Sequence, residues 1–295
     1  MKKVFYIIFA SVLTVSVDAQ NFQGMAVYES KTSTAEMMKN MPKRNDITPE
    51  MQKNMEERLK KMFERTYVLN FDKTTSIYKE EEKLDAPGQS NQGARMMMSM
   101  TGNGGTNFKN VKEKRYVVDK EVFGKQFLIK DTLTNFNWKM ENETRQIGNY
   151  TCFKATAVIP VSDSDFRSFR FRGNKENSEV KKDSTSSTKT NFMDQIEKPK
   201  EKTVVAWYAP EIPVNQGPEN YWGLPGLILE VNDGSTTILC SKIVLNSKDK
   251  VEIKEPNKGK EVSQKEFDET LKAKLEEMRE MFQNNRGGGH GFGPR

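Results

Sequence analysis

Histidine is almost absent from this sequence. The 295 residues contain one, His290, and it lies in the glycine-rich stretch Gly287-Gly288-Gly289-His290-Gly291. A general base must be held in a fixed position relative to the atom it deprotonates, and a glycine-rich chain does not hold a side chain in place. The sequence therefore argues against Ser-His-Asp and Cys-His catalysis. A carboxylate-based hydrolase stays open, because paired acids cannot be recognised without a cleft.

Cysteine is nearly as scarce, with only Cys152 and Cys240. Neither is spaced for zinc, and no glycine-rich phosphate loop follows a predicted strand, so we expect no cofactor. In an oxidising compartment the two thiols could form a disulfide that closes a long loop. They could equally be two buried free thiols, and their spacing leaves both alternatives open.

Long apolar runs are missing except at the N-terminus, where Lys2 and Lys3 precede an apolar run from Val4 to Val17. This order of charged, apolar and small residues is typical of a secretory signal over residues 1–19, cleaved between Ala19 and Gln20. The run is too short to span a membrane. We therefore expect a periplasmic or secreted protein with no transmembrane segment after cleavage.

A strong excess of either charge is also missing. The net charge is +6 with 30% charged residues, and basic and acidic side chains are interleaved, as in Glu56-Glu57 beside Lys60-Lys61. Nucleic-acid binding needs clustered Lys and Arg on a recognisable module, which this chain lacks. We expect no nucleic-acid partner.

Short strand-like runs dominate the rest of the sequence, and one of them is Phe136-Asn137-Trp138-Lys139-Met140. They are rich in β-branched and aromatic residues and are separated by Asp, Asn and Gly, a pattern typical of an antiparallel meander. Asp233-Gly234 predicts a hairpin with a two-residue turn, which places Leu229 opposite Ile238 and puts Cys240 on the apolar face.

Two amphipathic helices are predicted, at about 48–66 and 263–285. Thr48 and Pro49 form a helix start at the first, and Ser263 with Glu266 forms a capping box at the second. The predicted fold is a single β-rich α+β domain over residues 20–285, with one antiparallel sheet curved as a half-barrel or open barrel. Polar inserts are expected at 84–107 and 163–200, and a flexible glycine-rich tail at 286–295.

Methionine is unusually frequent, at sixteen residues, and Met96, Met97, Met98 and Met100 cluster in polar loop sequence. Thioethers are soft ligands that suit Cu(I), and they also react with oxidants. These four residues are therefore a candidate soft-metal or oxidative-stress site. The alternative is a loop that folds back onto the sheet, since methionine also fills irregular gaps.

Four aromatic residues, Trp207, Tyr208, Tyr221 and Trp222, flank a proline-containing segment and are candidate ligand-binding residues at a pocket mouth. The alternative is that they pack in the core and at the sheet edge.

The segment Gly223-Leu224-Pro225-Gly226-Leu227-Ile228 spells a signature. Its flanks include Trp138, Ile147-Gly148-Asn149-Tyr150, and Val205-Ala206-Trp207-Tyr208. On these residues, over about 20–260, the chain resembles the GLPGLI family, exported proteins of Bacteroidota with unknown function. The signature also has a structural interpretation: Gly223 and Gly226 permit unusual backbone angles, and Pro225 fixes the turn.

The resemblance implies an envelope protein similar in pattern to half-barrel lipid or lipoprotein carriers, and it implies no catalytic residues. Together with the missing catalytic groups, it predicts a non-enzymatic exported protein. We expect it to bind an apolar ligand, a peptide or an outer-membrane or other envelope partner on the concave face of the sheet.

Overall fold

The structure is a computed structural model, which describes residues 22–33, 48–81, 105–161, 170–171, 196–197, 201–247 and 251–287. Over these residues it contains two helices, α1 (Pro49–Phe63) and α2 (Gln264–Gly287). The strands are β1 (Gln23–Thr32), β2 (Glu64–Asp72), β3 (Thr75–Glu80), β4 (Thr106–Asn110), β5 (Arg115–Val122), β6 (Lys125–Thr132), β7 (Lys139–Ile147), β8 (Tyr150–Pro160), β9 (Arg170–Phe171), β10 (Ile196–Glu197), β11 (Glu201–Ala209), β12 (Leu227–Asn232), β13 (Thr236–Leu245) and β14 (Lys260–Val262). The predicted signal, residues 1–19, and the predicted tail from Gly288 onward lie outside the described residues.

Twelve strands form one sheet in the order β14-β6-β5-β4-β3-β2-β1-β13-β12-β11-β8-β7. The prediction of a β-rich fold with one large sheet and two helices is confirmed. The sheet is not closed into a barrel, since β14 and β7 are its two edges. All its pairs are antiparallel except β14 with β6, which the purely antiparallel prediction missed.

Three strands of the sheet, β5, β6 and β12, are covered on both faces. Consecutive residues of a strand point to opposite faces, yet Leu227, Ile228 and Leu229 of β12 are all fully buried. Val117 and Val118 in β5 show the same pattern, as do Leu128 and Ile129 in β6. Apolar side chains therefore pack on both faces, which explains why these strands read as continuous apolar runs.

The hairpin between β12 and β13 differs from its prediction. Val231 pairs with Ile238 and Asn232 with Thr237, so the loop is two residues longer than the two-residue turn. The carboxylate of Asp233 accepts hydrogen bonds from the backbone N–H groups of Ser235 (3.1 Å) and Thr236 (2.8 Å), which stabilises this longer loop. Because the register shifts by an even number, each side chain keeps its face, and Cys240 is buried as expected.

Two strands depart from the expected boundaries. β4 begins at Thr106, inside the predicted 84–107 insert, and was not predicted. β7 was expected at Phe136–Met140 but begins at Lys139, after an irregular stretch over 133–138. Within the predicted 163–200 insert, the structure has the short separate ladder of β9 with β10.

Both helix starts follow the predicted capping chemistry. The hydroxyl of Thr48 accepts a hydrogen bond from the Met51 N–H (3.2 Å), and Pro49 opens α1. The Ser263 N–H donates to the Glu266 carboxylate (2.7 Å), and the Glu266 N–H donates to the Ser263 hydroxyl (3.2 Å). Helix α2 packs on β5 and β6 through Phe267 and Leu271. No helix in the described part of the chain has the length and apolar character to cross a membrane.

Candidate functional site

The segment that joins β11 to β12, residues 210–226, carries the signature and is here called the crossing segment. Its backbone is tied to itself and to β12: the Leu227 N–H donates to the Ile212 carbonyl (3.0 Å), and the Ile228 N–H donates to the Gln216 carbonyl (3.0 Å). Ile212, Val214 and Gln216 are buried. The crossing segment is therefore a fixed part of the core.

The two signature glycines have different roles. Gly223 has a φ of +95°, in the left-handed region that favours glycine. Gly226 has no such angle, and the expectation of an unusual backbone angle there is wrong. A Cβ on Gly226 would lie 2.3 Å from the Ala209 carbonyl oxygen, so its role is to let two backbone segments approach closely.

A buried lysine anchors the crossing segment to the sheet. Lys109 of β4 lies in register with Ser76 of β3 and Tyr116 of β5, and its side chain is fully buried. Its amine donates to the carbonyl oxygens of Gly217 (2.5 Å) and Tyr221 (3.0 Å). Burial lowers the pKa of Lys109 to about 7, partly offset by the nearby charge of Glu219. A neutral amine has two N–H groups, which match the two carbonyls.

Polar side chains continue this anchor on both sides of Lys109. The Ser76 hydroxyl donates to the amide oxygen of Gln216 (2.8 Å), and Asn107 donates to the amide oxygen of Asn220 (2.7 Å). Glu219 lies between Gln216 and Asn220 in the chain and adopts a φ of +46°, which is rare for a residue other than glycine. The crossing segment is thus held against β3 and β4 by a polar row rather than by apolar packing alone.

Aromatic side chains from two segments meet beside the signature, and we call this cluster the aromatic corner: Phe136, Trp138, Tyr221 and Trp222. The rings of Phe136 and Trp138 stack at 5.2 Å between centroids, and Phe136 lies 5.5 Å from Tyr221. Tyr221 is buried, whereas the other three are half-buried and reach the surface. The corner therefore presents aromatic surface to solvent at the signature itself.

Hydrogen bonds fix the two indole rings. The Trp138 Nε1–H donates to the Trp222 carbonyl (2.9 Å), and the Trp222 Nε1–H donates to the Thr134 carbonyl (2.8 Å). A Cβ placed on Gly223 would meet only the edge of the Trp138 indole, at 3.8 Å. Gly223 thus leaves open space beside this ring.

The four predicted ligand-binding aromatics do not form one site. Tyr221 and Trp222 lie at the aromatic corner. Trp207 instead lies under the guanidinium of Arg145, 4.3 Å from its ring centroid, and Arg145 also contacts Glu230. Tyr208 is buried in the same apolar cluster as Tyr221, and its ring centroid lies 6.1 Å from that of Phe153. It is therefore a core residue beneath the aromatic corner and not part of its surface.

Both cysteines are free and buried in the structure. Cys152 lies in β8 and Cys240 in β13, with β11 and β12 between them in the sheet order. Burial raises the pKa of Cys152 to about 11 and that of Cys240 to about 12. Thiols of this kind react slowly, because the thiolate is the nucleophile.

The candidate metal residues Met96, Met97, Met98 and Met100 lie outside the described residues, as does His290. Within the described ranges, no three His, Cys, Asp or Glu side chains come together in a way that could hold a metal ion. The carboxyl groups that show a shifted pKa there are Glu141, beside Lys154, and Glu266, in the α2 cap; both are lowered. A general acid for hydrolysis needs a raised pKa instead.

Lys109 and Phe136 were missed at the sequence level. Lysine is rarely buried, and the carbonyls that receive the Lys109 amine lie more than a hundred residues away in the chain. Phe136 was placed in a strand, where it would have been ordinary core. Trp138 was placed in the same strand and noted in the resemblance, but it was not a candidate ligand-binding residue.

One family model, described as "Protein of unknown function (Porph_ging)", matches residues 138–230. This stretch begins at Trp138 and includes the whole crossing segment, and it is consistent with a Bacteroidota-type family of unknown function. No curated protein matches the chain.

Solved structures of PNGF-II show a distant similarity. In the C2 crystal form the TM-score is 0.45 with 12% identity, over 85% of this chain and 33% of that chain. In the P21 form the TM-score is 0.43 with 14% identity, over 86% and 33%. The chain thus spans about a third of the length of these structures.

Proposed function

We propose that this chain is a GLPGLI-type exported protein of the cell envelope, periplasmic or secreted after cleavage between Ala19 and Gln20. In this proposal it is a binding protein without enzymatic activity, and its ligand or envelope partner docks at the aromatic corner. The support for export is the N-terminal pattern of charged, apolar and small residues.

The observation that carries the binding proposal is the aromatic corner. Half-buried aromatic rings supply a large contact area at little conformational cost, and here hydrogen bonds and the Lys109 anchor fix them beforehand. The corner lies at the signature, and Trp138, Tyr221 and Trp222 fall within the stretch that the family model matches.

This proposal places the binding surface at the aromatic corner instead of on the concave face of the sheet, where the sequence predicted it. The crossing segment occupies the face of β3 and β4 with Gln216, Asn220 and the backbone of Gly217. A small depression exists elsewhere, between the ends of β1, β2 and β13 and residues 251–253, with a volume of about 30 Å³. That volume holds only one or two water molecules, so the aromatic corner is the better candidate.

Native mass spectrometry of protein purified gently from the envelope fraction tests the binding proposal. We expect a bound species on the wild type that is lost from Trp138→Ala and retained by Trp207→Phe. A protein that carries nothing, or whose bound species is indifferent to Trp138, would contradict the proposal.

N-terminal sequencing of the same material tests export separately. A mature N-terminus at Gln20 is expected. An intact N-terminus at Met1 in a cytoplasmic fraction would rule out the envelope assignment while leaving the binding experiment interpretable.

A further inference from the structure

The two stretches of chain that form the aromatic corner contain no charged residue, although 30% of the residues in the whole chain are charged. Residues 132–138 and 220–229 contain no Asp, Glu, Lys or Arg, and the next charges along the chain are Asp131, Lys139, Glu219 and Glu230. A phosphate, carboxylate or ammonium group in a ligand would normally be met by an opposite charge. The absence of charge within these stretches therefore favours a neutral ligand.

Uncharged hydrogen-bonding side chains lie on the same segments of chain as the rings. Thr134, Asn135 and Asn137 are exposed and lie on the same short segment as Phe136 and Trp138, and Asn215 is exposed on the crossing segment. Each amide provides both donors and an acceptor, and the threonine hydroxyl provides both roles as well. Such groups suit a ligand rich in hydroxyl groups.

The two indole N–H groups are not available to a ligand. At the aromatic corner both are already used by the carbonyls of Trp222 and Thr134. The indoles therefore offer a ligand their ring surface, and Gly223 places no side chain against the edge of the Trp138 ring.

From these observations we infer that the aromatic corner binds a neutral carbohydrate, whose C–H faces pack on Trp138 and Trp222 while its hydroxyls hydrogen-bond to Asn135 and Asn137. This inference rests on the proposed function and names the ligand class of the same site. A sugar ring is amphipathic in the required way, since one face is largely C–H and its rim is hydroxyl. It needs neither a charged partner nor an indole donor.

Affinity electrophoresis of the purified mature protein tests the inference, with gels that contain laminarin, xyloglucan, dextran or yeast mannan. We expect at least one of these neutral polysaccharides to retard the wild type. The variant Trp138→Ala should weaken this binding about tenfold or more, because it removes most of one ring contact. The matched control Trp207→Phe should bind like the wild type.

Trp138→Ala could also fail to fold, so a second variant keeps the test decisive. Asn135→Ala combined with Asn137→Ala removes two exposed amides that hold no part of the fold described above, and we expect it to weaken binding as well. Asn54→Ala, an exposed amide on α1, is its control and should have no effect.

The inference is overturned if none of the four polysaccharides retards the wild type. It is also overturned if polyproline or phosphatidylglycerol vesicles bind at the corner instead. A Trp138-dependent bound species in native mass spectrometry, together with failure of all four polysaccharides, would reject the carbohydrate and leave the proposed function standing.

Discussion

Single residues decide how the crossing segment is held. Lys109 places an amine among backbone carbonyls, and Gly226 lets Ala209 approach a second backbone segment. Lysine side chains are usually exposed, so burial of Lys109 is unusual. Glycine in a turn usually supplies a positive φ, whereas Gly226 supplies space for a second backbone segment. Both residues support the aromatic corner from below without being part of its surface.

Lys109 predicts a specific pH dependence of stability. Its pKa is about 7 in the folded protein and close to 10.5 when the chain is unfolded. Between these values the unfolded state binds the additional proton, so the contribution of Lys109 to the free energy of unfolding rises with pH. Below pH 7 the folded state bears the full free-energy cost of burying the Lys109 amine. This cost decreases as the pH approaches 10.5.

The test compares urea unfolding of the wild type and Lys109→Met from pH 6.5 to 9.5. The stability of the wild type relative to the variant should rise with pH, by up to about 1.4 kcal/mol per pH unit. Lys112→Met changes an exposed lysine and should give a constant difference. A constant difference for Lys109→Met as well would show that the buried amine does not titrate in this range.

The signature glycines predict unequal losses of stability. Gly226→Ala brings a methyl group against backbone atoms that cannot move aside, and we expect a loss of about 2–3 kcal/mol or more. Gly223→Ala has room for its methyl group and bears only backbone strain, about 1–2 kcal/mol.

Thermal and urea unfolding measure both variants. Gly234→Ala is the control. Gly234 has a φ of +89° and open space around an added Cβ, so this variant bears backbone strain without a steric clash. Equal stability of Gly226→Ala and Gly234→Ala would show that close backbone approach is not what position 226 requires.

At the level of elements, the helix ends and the sheet edges follow familiar chemistry. Strand β7 forms one edge; its register shifts between Met140 and Thr144, and it is rich in charged side chains. Strand β14 forms the other edge and has only three residues. Short, charged or bulged edges discourage pairing with other chains.

The cap of α2 provides the prediction at this level. Ser263→Ala removes the hydroxyl that accepts from the Glu266 N–H, and we expect a loss of about 1 kcal/mol together with faster hydrogen exchange in the first turn of α2. Ser263→Thr retains an acceptor and should stay close to the wild type. Equal exchange rates in the alanine and threonine variants would contradict this role of Ser263. The first turn of α2 would then be held by the N–H of Gln264, which donates to the Asp131 carboxylate (3.0 Å).

For the whole molecule, the sequence predicted the class of fold better than its details. Apolar runs such as Leu227-Ile228-Leu229 and capping residues such as Thr48 and Ser263 are local signals, and they were correct. Strand β4 was missed because Phe108 is its only large apolar residue. The β12–β13 register was missed because the Asp233 side chain, which bonds to Thr236, selects a longer loop than Asp-Gly usually forms.

The aromatic corner could not be predicted, because it joins residues about eighty positions apart. Trp138 and Trp222 come together only when the crossing segment lies on the sheet, and the indole hydrogen bonds exist only in that arrangement. Sequence reasoning found Tyr221 and Trp222 from their place beside the signature. It grouped them with Trp207, which packs against a different cluster, and with Tyr208, which is buried beneath Tyr221.

The central proposal is that the aromatic corner is the binding surface. The chain has three tryptophans, so binding at each indole ring can be followed directly. A proton–nitrogen correlation spectrum of the labelled protein should contain three indole signals, assigned with Trp138→Phe, Trp207→Phe and Trp222→Phe. On titration with the species released from the envelope complex, or with the polysaccharide that binds, the signals of Trp138 and Trp222 should shift while that of Trp207 stays in place. A shift confined to Trp207, or saturation without movement of the Trp138 and Trp222 signals, would contradict the account.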